Sequence, residues 1–103
     1  MNSEVLIFYS RKGCCLCQTL EKKLSNIYLE NLNPSIALSI VDIDSKKVSL
    51  DIQMKYTNEV PVIVLDSTRL LKKIELPRVS PRLKEDMLLS WIQKNLNILY
   101  KIS

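Results

Sequence analysis

The chain has 103 residues, no histidine, 47% apolar content and a net charge of +4 from 15 Lys and Arg against 11 Asp and Glu. This suits one domain over residues 1–103 and excludes a disordered chain, while no apolar run approaches the roughly 18 residues that span a bilayer. There is no zinc-finger spacing, Gly-rich phosphate loop or aromatic RNA-binding pattern, and no signal peptide is expected, so no nucleic acid and no membrane are expected as partners, and the expected location is cytoplasmic.

Residues 4–9, with the run Val5-Leu6-Ile7-Phe8-Tyr9, read as a strand short enough to lie centrally in a sheet. Ser10-Arg11-Lys12-Gly13 makes a turn. From Cys14 to about Asn31 the pattern is helical: Leu16, Leu20, Leu24, Ile27 and Tyr28 recur near three- and four-residue steps, with Glu21, Lys22 and Lys23 outward. Asn33-Pro34 is expected to stop this helix, because proline cannot continue it. Ile36 to Ile43 reads as a second strand. Asp44 or Ser45 is expected to cap a short helix from about Lys46 to Tyr56. Val60-Pro61-Val62-Ile63-Val64-Leu65 is strongly β-prone, Asp66-Ser67-Thr68 a turn, and Arg69 to Leu76 its hairpin partner. Ser80-Pro81 has the form of a helix start, and Leu83, Met87, Leu88, Trp91, Ile92 and Leu96 give the last helix a broad apolar face. The order β-α-β-α-β-β-α predicts an α/β protein with a mixed sheet covered by helices.

All three cysteines fall in Cys14-Cys15-Leu16-Cys17, directly after the only glycine. A Cys-x-x-Cys pair where a strand hands over to a helix reads as a dithiol redox site, because the first sulfur then meets unpaired helix N–H groups and the positive dipole end, which favour thiolate. Arg11 and Lys12 add positive charge beside it. That matters in a chain without a histidine base. Two other readings stand beside this one: small buried packing cysteines, and a thiol-based metal site, for which three cysteines on one turn fall short of four tetrahedral ligands.

The cysteine motif and Val60-Pro61, at this separation, resemble the thioredoxin superfamily, and within it the glutaredoxin-like proteins. The segment Leu6-Ile7-Phe8-Tyr9-Ser10-Arg11-Lys12-Gly13-Cys14 is similar to the glutaredoxin approach to the active site, and Val60-Pro61-Val62-Ile63 to the family's cis-proline loop. The resemblance implies a thioredoxin-like fold with a four-stranded mixed sheet. It implies a thiol–disulfide oxidoreductase that reduces protein or glutathione mixed disulfides, with Cys14 as nucleophile and Cys17 as resolving thiol. On the same basis the oxidised protein is expected to hold a Cys14–Cys17 bond. Cys15 is an accessory thiol, Arg11 and Lys12 sit near thiolate and substrate, and Pro61 is cis, leaving the Val60 backbone to pair with an extended peptide. Tyr9, Val60, Pro61, Arg78 and Arg82 are the expected substrate-binding residues. No bound cofactor and no metal are implied; glutathione is a candidate co-substrate, a reductase protein a candidate partner, and a monomer the expected state. The motif departs from the family in having Cys15-Leu16 between its cysteines. The Gly-Gly-x-Asp segment that helps many glutaredoxins bind glutathione is replaced by Leu76-Pro77-Arg78-Val79-Ser80-Pro81, and Arg78 and Arg82, in the hairpin-to-helix connection, are expected to supply carboxylate-binding guanidiniums instead. The alternatives are a catalytically weak thioredoxin-fold module that binds peptides, and a metal-relay dimer.

Overall fold

The computed structural model describes residues 4–102. Strand β1 (Glu4–Ser10) lies in the middle of a four-stranded sheet, parallel to β2 (Ile36–Asp42) and antiparallel to β3 (Val62–Ser67), which pairs antiparallel with β4 (Lys72–Glu75). The order β2-β1-β3-β4 makes the sheet mixed. Strand side chains alternate between faces, so a central strand covered on both must be apolar along its length. Leu6, Ile7, Phe8 and Tyr9 meet that demand, all buried.

Leu6 and Phe8, with Ile63 and Leu65, face a core shared with helices α1 (Cys15–Asn26) and α3 (Glu85–Ile102). Leu20 and Leu24 of α1 and Leu88, Ile92 and Leu96 of α3 are buried there. Ile7 and Tyr9, with Val62 and Val64, face the other way, against Ile43 and Tyr56 at the end of α2 (Leu50–Tyr56). The fold is therefore α/β, with helices on both faces of a four-stranded mixed sheet. Among the described residues, no helix is long and apolar enough to cross a membrane.

Three helix boundaries differ from the sequence expectation. α1 ends at Asn26, not near Asn31, and Ile27 is extended. Leaving the helix here lets Leu29, in a short 3-10 turn (Leu29–Asn31), and Leu32 enter the core, whereas Leu29 would lie off the buried face of a continued helix. Tyr28 and Leu16, expected on that face, are 65% and 57% exposed. α2 begins at Leu50, capped by Ser49, whose Oγ accepts from Ile52 N at 3.3 Å; residues 45–48 form a turn instead. Ser80-Pro81 opens a turn and not the helix, which starts at Glu85. Lys23 Nζ donates to the carbonyls of Pro81 and Leu83, the acceptors that a helix begun at Pro81 would need for its own ladder. Met87 consequently falls outside the buried face and is exposed.

Candidate functional site

Gly13 has φ +81°, and a Cβ built on it would meet nothing within 4 Å. Backbone conformation, not space, therefore calls for glycine here. The turn it allows closes through Cys14 N to Arg11 O at 3.2 Å and delivers Cys14, in extended conformation, as the N-cap of α1. Cys14 Sγ accepts from Cys17 N at 3.2 Å, so the sulfur occupies the acceptor position that Ser or Asp fills at ordinary helix starts. No acidic residue lies in the first turn of α1 to compete for that end.

Cys14 and Cys17 are joined in a disulfide, with Cα atoms 5.2 Å apart. Cys17 is buried and packs in the core with Leu20 and Phe8, while Cys14 is only half-buried. Cys15 is a free, exposed thiol one residue into the helix. Among the described residues, no group of three or more His, Cys, Asp or Glu side chains is arranged to hold a metal ion.

The Val60–Pro61 peptide is cis, as is Asn33–Pro34. Cys14, Val60 and Val79 pack at the margin of the same core, and Pro61, Leu76, Pro77, Arg78 and Val79 line a narrow cleft over Leu20. The loop before Pro61 is held from two sides. Arg11 donates through Nε and Nη2 to the two oxygens of Asp44, at 2.8 and 3.0 Å, and through Nη1 and Nη2 to Thr57 O and Oγ1, at 2.7 and 2.8 Å. From the other side Arg78 Nη1 donates to Glu59 O and Oε2, at 2.9 and 3.0 Å. The hydrogen bond and charge of Arg11 hold the Asp44 carboxyl below its ordinary range, against a smaller desolvation penalty.

The structure shows which partners the expected site residues hold. Arg11 spends all three guanidinium nitrogens on Asp44 and Thr57, whereas Arg78 bonds Glu59 through Nη1 alone. Arg82 lies in the turn whose Pro81 and Leu83 carbonyls accept from Lys23 Nζ. Tyr9 is not at the surface: it is buried and stacks on Tyr56 with ring centroids 5.5 Å apart. The Val60 N–H is not available to a peptide either, since it donates to Tyr56 O at 3.2 Å. Lys12 is exposed beside the turn. Asp44, Thr57 and Glu59 were missed by sequence reasoning, which used Asp44 only as a helix cap. An open recess of about 670 Å³ lined by Glu4, Val5, Leu24 and Ile36 lies at the opposite end of β1 from the cysteines, and its residues bring no reactive group together.

Residues 5–93 match the profile of the Glutaredoxin-like domain (DUF836). The chain belongs to the glutaredoxin-like domain family. Among curated proteins, none matches this glutaredoxin-like chain. Solved structures agree on its fold. It is similar to thioredoxin-2 of a malaria parasite, described as a component of that parasite's protein secretion machinery, with 20% identity and a TM-score of 0.60 over 90% of this chain and 84% of that one. It is also similar to a mutant thioredoxin from Halobacterium salinarum, with 22% identity and a TM-score of 0.58 over 90% and 74% of the two chains. A further malarial protein matches at 19% identity and a TM-score of 0.59, over 90% and 97%. At these identities the likeness is one of fold: this glutaredoxin-like domain has the thioredoxin architecture.

Proposed function

We propose that this glutaredoxin-like domain is a thiol–disulfide oxidoreductase that reduces protein disulfides or glutathione mixed disulfides. The observation that carries the reading is the asymmetry of the dithiol: one sulfur half-exposed at a helix N-cap, the other buried one turn on and within bonding reach. In the reduced protein, the Cys17 N–H and the helix end favour the Cys14 thiolate. That thiolate attacks one sulfur of the substrate disulfide. The substrate S–S bond breaks, a mixed disulfide to Cys14 forms, and one substrate thiolate leaves. Cys17 then loses its proton to solvent and attacks Cys14 Sγ, which closes the Cys14–Cys17 bond and expels the second substrate thiolate. Both thiolates take protons from water. Two electrons have moved from the protein dithiol to the substrate. A thiol donor, either glutathione or the dithiol of a reductase protein, restores the reduced state.

No resident cofactor enters this scheme, and a monomer working in a reducing cytoplasm belongs to the same proposal. The test is turnover of a protein disulfide with dithiothreitol as donor, comparing wild type with Cys14→Ser. The expected outcome is loss of the rate enhancement in Cys14→Ser. Full activity in that variant would refute the assignment.

A further inference from the structure

The scheme above admits two substrate classes, a glutathione mixed disulfide and a disulfide in a polypeptide, and the charges around the cis-proline loop discriminate between them. Glutathione is a short peptide with two carboxylates, so holding it calls for unspent cationic donors, above all guanidiniums that take a carboxylate with two parallel hydrogen bonds. The two arginines bonded to this loop have already taken carboxylates. Arg11 makes that two-pronged contact with Asp44, and its remaining bonds go to Thr57. Arg78 is bonded through Nη1 to Glu59, the residue before Val60, which sets a negative charge against its guanidinium while Nε and Nη2 stay clear of that contact. Arg82 lies in the turn whose Pro81 and Leu83 carbonyls accept from Lys23 Nζ, outside the bonds that hold the cis-proline loop. Among the described residues, Lys12 is the cation left at the turn before Cys14, one charge against two carboxylates.

Apolar side chains flank the dithiol and the cis-proline loop. Leu16, lying between the two bonded cysteines in sequence, is 57% exposed although nothing in the core requires it. Val60, Pro61 and Val79 stand half-exposed beside the core margin that includes Cys14. Uncharged flanks on both sides of a substrate cysteine would cover this rim without displacing either ion pair.

We propose that Asp44 and Glu59 are specificity residues: by occupying Arg11 and Arg78 they turn the site away from glutathione and toward disulfides carried in extended, apolar polypeptide segments. This rests on the oxidoreductase reading. Glu59 is the better lever, because its side chain is 58% exposed and its removal leaves the Arg78 bond to the Glu59 carbonyl in place.

The experiment is single turnover of the pre-reduced protein with two disulfides, following closure of the Cys14–Cys17 bond by acid quench, alkylation and mass spectrometry. One probe is oxidised glutathione. The other is the disulfide dimer of an N-acetylated, C-amidated Val-Cys-Val tripeptide, which is neutral. Each rate is divided by that probe's own rate with dithiothreitol. The neutral disulfide is expected to react at least about fivefold faster, and Glu59→Gln to narrow the ratio by about two- to fivefold, the scale of an exposed carboxylate–guanidinium contact. High salt is expected to erase the gain in the variant. Oxidised glutathione matching the neutral peptide, or a ratio unmoved by Glu59→Gln, overturns the substrate assignment while leaving dithiol chemistry intact. Failure of both probes to close the Cys14–Cys17 bond overturns the redox reading itself, and the assignment with it.

Discussion

Replacing Tyr100 with phenylalanine tests how the last helix is fastened to the central strand. Tyr100 Oη donates to Glu4 Oε2 at 2.5 Å, and Glu4 is 2% exposed at the start of β1. Its other oxygen accepts from Arg69 N at 3.3 Å and Thr68 Oγ1 at 3.4 Å, so one carboxylate ties α3, β1 and the β3–β4 turn together. A hydrogen bond to a buried charged group is worth roughly 1.5–3 kcal/mol, and Tyr100 is partly exposed, so Tyr100→Phe should cost about 1–2 kcal/mol at pH 7. For a chain of this size that lowers Tm by about 5–15 °C. The pH dependence has a definite sign. Burial pushes the Glu4 carboxyl up, but donation from Tyr100, Ser67, the Arg69 N–H and Thr68 outweighs it and leaves the group below its ordinary value of 4.5. A depressed carboxyl contributes stability that is present above its unfolded pKa and lost as pH falls through the folded one. The penalty of Tyr100→Phe is therefore full at neutral pH and shrinks under acid, once Glu4 is protonated in both proteins. Urea unfolding from pH 7 downward through the Glu4 titration measures it. A penalty under about 0.5 kcal/mol at pH 7, or one that stays constant as Glu4 takes up its proton, would contradict this fastening.

Two further outcomes follow from exposure and burial. Alkylation of the oxidised protein should modify Cys15 alone; after reduction Cys14 should follow, with buried Cys17 protected, and rapid labelling of Cys17 ahead of Cys14 would contradict the described packing. Burial, then the hydrogen bond and charge of Glu75, push the Tyr56 phenol up to about 12. Since this raised group favours the fold below its unfolded pKa, ultraviolet titration should show its phenolate forming only late, with stability lost between about pH 10 and 12; Tyr56→Phe should remove that late step, and an unchanged titration curve would count against the burial.

The strands β1, β2 and β3 were legible because each carries a short run of apolar, β-prone residues next to polar or turn-forming ones, and Val62 to Leu65 between Pro61 and Asp66 shows this well. The dithiol was legible because its spacing and its place after Gly13 are local properties. Helix ends were less so. Ser80-Pro81 has the same chemistry in a turn as in a helix start, and what decides is Lys23, 58 and 60 residues away from the carbonyls it takes. The arginines show the same limit. Arg11 beside Cys14 reads locally as a thiolate or substrate partner, yet its partners Asp44 and Thr57 lie 33 and 46 residues on, brought in by the β2–α2 and α2–β3 connections. Tyr9 follows the strand alternation faithfully; its face is covered because Tyr56 at the end of α2 reaches it, and no pattern near Tyr9 announces that. Pairing decides the charge left at the site, and pairing is a tertiary property.

The most direct test of the central claim is covalent trapping. Pre-reduced Cys17→Ser and Cys14→Ser proteins are mixed with a peptide disulfide, quenched in acid, and the intact proteins and their peptide maps are weighed. Cys17→Ser is expected to accumulate the peptide on Cys14, because the attacking thiolate remains and the resolving thiol is gone, whereas Cys14→Ser accumulates none on Cys17. Peptide found chiefly on Cys15, or in equal amounts on both variants, would contradict a nucleophile held at the helix N-cap.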